Sequence, residues 1–176
     1  MAKVYLSLGS NIHRYFNIQS ALDALVALDE QIEVSSVYES EAVGFDGDHF
    51  LNLVVGMTVE MPLAEFSVWL KALEDRHGRD RQQAKFSGRT LDVDILTWDD
   101  AVGLVSGVQL PRNEITKNAF VLQPLAEIAG ELVHPFYGIS FSQLWQQFDQ
   151  NSQNLWPVDF FWHDRQISIS DQDWAS

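Results

Sequence analysis

Over the first 130 residues the hydrophobic pattern switches repeatedly between a period of two and a period near 3.6, and the order of those switches leaves few ways to fold. Lys3-Val-Tyr-Leu-Ser-Leu8 alternates as a strand, and Gly9-Ser10-Asn11 then supplies turn and helix-capping residues. Ile18, Ala21, Leu22, Leu25 and Leu28 recur at helical spacing through 16–28. Ile32 to Tyr38 alternates again, and Phe50 to Val59 reads as a third, mostly buried strand. Pro62 marks a second helix whose stripe, Phe66, Leu70 and Leu73, runs toward a stop at Gly78. Leu91 to Leu96 is a fourth strand, and 118–130 a further helix. The order β-α-β-β-α-β predicts an α+β, ferredoxin-like split βαβ arrangement, an antiparallel sheet with helices on one face. Residues 1–148 form this domain; 149–176, acidic and aromatic without a clear period, read as an extension of it that packs in part and frays at its end.

With 176 residues, 46% hydrophobic and 20% charged, one core suffices, burying roughly 70% of the surface an unfolded chain exposes. The chain has no cysteine, which excludes disulfides, thiolate zinc sites and cysteine nucleophiles and fits a reducing compartment. The opening residues lack the apolar run of a signal peptide and no later run approaches a membrane span, so the expectation is a cytoplasmic protein without membrane partners. A net charge of −14 opposes nucleic-acid binding. Against that background, Lys71, Arg76, Arg79, Arg81, Lys85 and Arg89 gather between positions 71 and 89, opposed only by Glu74, Asp75 and Asp80. The segment is either a local anion site or a solvated basic loop.

Asp92 and Asp94 stand two apart in the fourth strand, so both carboxylates face one side, about 6.5–7 Å apart at their origins, while Leu91, Val93 and Ile95 face the other. Two hard oxygen ligands on one spot suit Mg²⁺, which takes its remaining ligands from water and phosphate. Read alone, an Asp-x-Asp pair is more often two solvated acids on a strand. Arg79, Arg81, Lys85 and Arg89 lie just upstream, and carboxylates beside arginines form the constellation that phosphoryl transfer uses, although mutual salt bridging is the structural alternative.

The run Phe86-Ser-Gly-Arg-Thr-Leu-Asp-Val-Asp-Ile-Leu96 resembles the signature of the 6-hydroxymethyl-7,8-dihydropterin pyrophosphokinase family. The resemblance extends through Leu8-Gly-Ser-Asn11, Val34 to Tyr38, Phe50-Leu-Asn52, Glu74 ahead of Gly78-Arg79, and Phe120 to Leu125, all in family order from Val4 to about Pro135. It implies pyrophosphoryl transfer from ATP, as co-substrate, to a hydroxymethyl-dihydropterin, with AMP released, by a monomer whose partners are these small molecules. It makes Asp92 and Asp94 ligands of two Mg²⁺ ions, Arg79 and Arg89 catalytic phosphate contacts, and Arg81 a further nucleotide contact. Lys71, where the family usually has glutamine, and Glu74 fall on the nucleotide side, and the adenine meets backbone around Ile95 and Gln109. For the pterin, the resemblance implies Asn52 as the amide reading the ring edge, Phe50 and Phe120 as an aromatic sandwich, and Ser40 and Val43 as pocket lining.

The chain departs from that pattern where Arg112, Asn113 and Asn118 occupy the usual histidine, aromatic and arginine positions, and where Lys85 and Phe86 replace a loop arginine and tryptophan. Arg112 is expected to contact phosphate as a permanent cation. These departures keep open a second reading, a diverged relative that binds pterin or nucleotide with little catalysis. An RNA-binding domain shares the architecture but needs exposed aromatic–basic interleaving that the strands lack.

Overall fold

The structure is a computed structural model that describes residues 1–41, 47–78 and 90–170. The alternation at the start of the chain becomes β1 (Ala2–Ser10), an inner strand paired antiparallel with β4 (Phe50–Val59) on one side and β5 (Asp92–Trp98) on the other. β3 (Tyr38–Ser40) follows β4, and β8 (Leu155–Pro157) closes that edge, giving the order β5-β1-β4-β3-β8, with β2 (Glu33–Val34) also pairing β4. For the four strands read from the sequence this is the ferredoxin-like order, all antiparallel.

The period of two assigns each face. Val4, Leu6 and Leu8 of β1, with Leu53, Val55 and Met57 of β4, are buried beneath α1 (Arg14–Leu28) and α2 (Leu63–Arg76), the two crossover helices. Burying side chains of this size stabilises by roughly 1.5–3 kcal/mol each. Tyr5, Val54 and Leu96 point the other way, into a second cluster with α3 (Ala119–Ala129) and α4 (Phe141–Gln147). The crossover helices share one face as the pattern predicts; the helices beyond that unit cover the opposite one.

Three local expectations are corrected. Ser10 and Asn11 do not cap α1: Ser10 Oγ donates to the Thr90 carbonyl at 2.6 Å and Asn11 Nδ2 to the Asp48 carbonyl at 3.0 Å, so both side chains are spent tying the end of β1 to its neighbours. The N-cap is His13, in left-handed conformation with φ 44° and no side-chain cap bond. The single strand expected over 32–38 is broken into β2 and β3, because Ser35 Oγ accepts the Val54 N–H at 2.9 Å in place of a main-chain partner and Ser36 is drawn to Glu127 of α3. Beyond residue 149 the chain supplies β8 and a hairpin, β9 (Phe160–Trp162) with β10 (Arg165–Ser168), rather than an unpatterned extension. Its Phe160 ring stacks on Tyr15 of α1 at 5.4 Å and its Trp162 Nε1 donates to Asp23 at 2.9 Å. The fraying expected at the end falls on residues 171–176, outside the described residues.

Candidate active site

β5 presents its carboxylates as the period of two requires. Asp92 and Asp94 are half-buried on the α3 face while Val93 and Ile95 are buried on the other, among the core side chains under α1 and α2. As an edge strand, β5 has main-chain N–H groups that β1 does not use, and Glu74 of α2, only 5% exposed, accepts the Val93 N–H through Oε2 at 2.9 Å. A buried carboxylate thus fixes the segment between the two aspartates. Burial first, and the neighbouring Asp92 charge second, push the Asp94 carboxyl up to about 7, against the pull of Arg112.

Arg112 stands after β7 (Val108–Leu110), its N–H donating to the Leu96 carbonyl at 2.9 Å and its Nη2 3.5 Å from Asp94 Oδ1. Glu114, in the single 3₁₀ turn Asn113–Thr116, holds the guanidinium through Oε1, which accepts from Nη2 at 2.9 Å and from Nε at 3.2 Å. Burial lowers the Arg112 pKa, but Asp94 and Glu114 outweigh it and hold it raised, so the group is a fixed cation. The position where the resemblance leads one to expect histidine therefore carries a permanent charge against the carboxylate pair. Asn118, at the expected arginine position, contributes no charge; its Nδ2 reaches Glu114 Oε2 at 3.5 Å.

The other end of the site lies in the same sheet row. Gly9 is opposite Asn52 of β4 on one side and Asp92 of β5 on the other, so three paired residues share one face with no side chain at the middle position. A Cβ on Gly9 would lie 3.3 Å from Asn52 Oδ1 and 3.8 Å from Phe50 Cδ1, so the glycine keeps the floor between amide and carboxylates open. Asn52 is 5% exposed and its Nδ2 donates to Ser40 Oγ at 2.7 Å, which fixes the amide plane and turns Oδ1 toward the Gly9 side. Phe50, at the start of β4, and Phe120, in the first turn of α3, are both half-buried.

The expected site residues thus divide. Asp92, Asp94 and Arg112 converge at one end of the β5–β1–β4 surface, with Glu74 meeting the β5 main chain from the α2 side; Asn52, Ser40 and Phe50 gather at the other end, with Phe120 on the helix that covers that face. Ile95 turns its side chain into the core, leaving only its main chain for a ligand. Gln109 is exposed on β7 and lines, with Arg112, a cavity of about 310 Å³; Lys71 is exposed on α2. Val43, Arg79, Arg81 and Arg89 lie outside the described residues, as do Lys85 and Phe86. Two contributors escape a reading of the sequence alone: Glu114, which orients Arg112, and Gly9 as open floor, for which a glycine inside an alternating strand is the available signal.

The donor set at Asp92 and Asp94 fits a hard divalent cation. Among the described residues no third histidine, cysteine or acid completes a metal-sized cluster with them, which suits an ion that draws its other ligands from water and phosphate.

Residues 5–130 match the family described as 7,8-dihydro-6-hydroxymethylpterin-pyrophosphokinase. The chain is 35% identical over 139 residues to a 2-amino-4-hydroxy-6-hydroxymethyldihydropteridine pyrophosphokinase of Aquifex aeolicus, covering 78% of this chain and 86% of that one. It is also 35% identical over 156 residues to the Synechocystis protein of the same name, covering 87% and 78%. Among solved structures, a Plasmodium falciparum HPPK-DHPS chain superimposes with a TM-score of 0.70 at 14% identity, over 98% of this chain. The present chain spans about half (49%) of that one, and the likeness is one of fold. The chain is a member of the hydroxymethyl-dihydropterin pyrophosphokinase family, to which ATP-dependent diphosphotransferases of folate synthesis belong.

Proposed function

We propose that the protein transfers the pyrophosphoryl group of ATP to the hydroxymethyl oxygen of 6-hydroxymethyl-7,8-dihydropterin and releases AMP. The observation that carries this reading is the row Asn52–Gly9–Asp92: a ring-reading amide and a phosphate-end carboxylate face the same side of three adjacent strands, about 10 Å apart, with nothing but glycine between. A pterin lying on that floor directs its hydroxymethyl arm toward the aspartates.

Asn52 supplies donor and acceptor to the pterin edge, oriented by Ser40, while Phe50 and Phe120 offer ring faces for offset stacking. Val43 is assigned to the same substrate. At the other end Asp92 and Asp94 hold Mg²⁺, two ions in this reading, which when bound neutralises charge on the triphosphate oxygens. Arg112, oriented by Glu114, adds a fixed cation at the same edge. Arg79, Arg81 and Arg89 serve the phosphates, and Lys71, Glu74 and the main chain near Ile95 and Gln109 serve the nucleoside. The hydroxymethyl oxygen attacks the β-phosphorus in line, the bond from that phosphorus to the oxygen bridging it to the α-phosphate breaks, the hydroxyl proton is lost to solvent, and AMP departs. The reading takes a monomer, and the absence of cysteine suits a reducing cytoplasm. Among the described residues no helix is long and apolar enough to cross a membrane.

The test is AMP formation followed chromatographically with MgATP and pterin together and singly. AMP should require both substrates and the metal, and Asp92→Ala should lower the rate about 10²-fold or more. Tight pterin binding with no AMP formed would instead establish the catalytically silent alternative. The cation at position 112 speaks against that alternative, since its departure from histidine keeps a positive charge beside Asp94.

A further inference from the structure

The cavity of about 310 Å³ beside Arg112 is bounded by the hairpin of β6 (Gly103–Val105) and β7, by the Asn113–Thr116 turn, and by the turn His134 to Tyr137. In a chain with 25 acidic residues against 11 Lys and Arg, no carboxylate among the described residues lines it. The polar lining among the described residues is one guanidinium, one imidazole, the amides of Gln109 and Asn113 and the Thr116 hydroxyl.

Two of those groups carry hydrogens with no protein acceptor among the described residues. His134 is 3% exposed, and its Nδ1 accepts both the Phe136 N–H at 3.2 Å and the Tyr137 N–H at 3.1 Å, so a neutral ring carries its proton on Nε2. Burial lowers the His134 pKa and keeps that ring neutral. Arg112 engages Glu114 and Asp94 through Nε and Nη2 alone, leaving the two Nη1 hydrogens. Arg112 and His134 both line the cavity, so a ligand or water there can accept from these hydrogens.

The rest of the wall is apolar and uncovered. Phe136 and Tyr137 are 65% and 55% exposed, with rings 5.0 Å apart and nearly perpendicular, and Tyr137 packs on the His134 ring at 4.7 Å. Val102, also in the wall, is 51% exposed.

We propose that this cavity binds a small flat organic anion, its carboxylate or phosphate between the Arg112 Nη1 edge and the His134 Nε2–H and its ring against Tyr137 and Phe136. The site lies on the opposite side of the Arg112 guanidinium from Glu114 and needs neither the pterin floor nor the aspartate pair. An occupant there competes with Asp94 for the Arg112 charge, so it acts on the phosphate end of the active site from a neighbouring pocket.

The experiment is calorimetry on the full chain with naphthalene-2-carboxylate and 2-naphthyl phosphate as probes, naphthalene-2-carboxamide as the neutral analogue and inorganic phosphate as the bare anion. The expected result is saturable binding of at least one aryl anion, at least tenfold tighter than the carboxamide and than inorganic phosphate; whichever anion binds better identifies the head group. His134→Asn retains a side-chain acceptor for the Phe136 and Tyr137 N–H groups but removes the Nε2 donor, and should weaken the probe about tenfold. Tyr137→Ala, on an exposed ring, should weaken it severalfold whether or not the first variant folds. The proposal is overturned by equal binding of carboxylate and carboxamide, by no saturable heat from either anion, by unchanged affinity in Tyr137→Ala, or by one-for-one displacement of the probe by a non-hydrolysable ATP analogue, which would make the cavity the nucleotide's own.

Discussion

Asp94→Asn should make the metal-free protein more stable at neutral pH while removing its activity. The Asp94 carboxyl is pushed from an ordinary 3.8 to about 7 by burial and by Asp92. A carboxyl whose pKa is raised on folding binds its proton more tightly in the native state, so its destabilising effect is absent below pH 4, grows between pH 4 and 7, and is complete above 7. The difference between 3.8 and about 7 corresponds to a ceiling of ~4 kcal/mol. The side chain keeps 23% of its exposure, and Arg112 stays beside it in the charged form, so about 2 kcal/mol is expected. For a chain of this size that is a rise in Tm of roughly 4–8 °C. The assay is thermal unfolding with chelator at pH 5 and pH 8, wild type against Asp94→Asn. The gap at pH 5 should be only a little over a third of the gap at pH 8, where the full amount is reached, and Mg²⁺ should narrow the gap at pH 8 by stabilising the wild type alone. A gap independent of pH, or a variant less stable at pH 8, would refute the account of Asp94 as a strained carboxylate held for a cation.

Asn52→Ala should weaken pterin binding by roughly 1–3 kcal/mol and leave ATP affinity unchanged in calorimetry; equal losses for both ligands would reduce Asn52 to a structural amide. Gly9→Val places methyl groups where a Cβ already lies 3.3 Å from Asn52 Oδ1, so it should abolish pterin binding while circular dichroism still reports the native sheet. Arg112→Ala should raise the KM for ATP, with Arg112→His restoring part of it, and the wild-type pH–rate profile should lack a fall between about pH 6 and 8 traceable to this position; an unchanged KM in Arg112→Ala would release the segment 111–118 from the reaction.

The parts of the fold that the sequence discloses are those whose side chains are sorted by burial. β1, β4, α1, α2 and β5 each present a continuous apolar stripe to a common core, and their boundaries fall within a few residues of the periodic runs. The elements that escape are short or paired with distant partners. The β6–β7 hairpin turns on Ser106 and Gly107, both with positive φ, a signal present in the Ser-Gly pair but set between strands of three residues. α4 has a full capping box at Ser140 and Gln143, visible as a spacing, yet only seven residues to carry a period. β8 is specified by what β3 lacks on its open edge, which no local pattern states. The site follows the same division. The aspartate pair is legible because a strand's period fixes its direction, whereas Asn52, Phe50 and Phe120 sit in apolar runs where core packing explains them equally well, and only the resemblance singles them out. Glu114 becomes meaningful once the turn brings it back onto Arg112.

The strand that closes the sheet is synthesised after every other strand of that sheet. Until residues 155–168 have left the ribosome, β3 has an unpaired edge, α1 lacks the ring that covers Tyr15, and the Val37 N–H lacks the Ser168 hydroxyl that accepts from it at 2.9 Å. β3 is the strand that bears Ser40, the partner that orients Asn52. The pocket end of the molecule is therefore assembled late, through contacts spanning more than 100 residues, while the phosphate end, built from β1 and β5, is tied together over shorter spans. Such long-range closure slows folding and leaves a bare strand edge exposed to aggregation in the meantime. A chain shortened before Leu155 should still assemble its central strands, yet carry a sticky edge at the strand that bears Ser40.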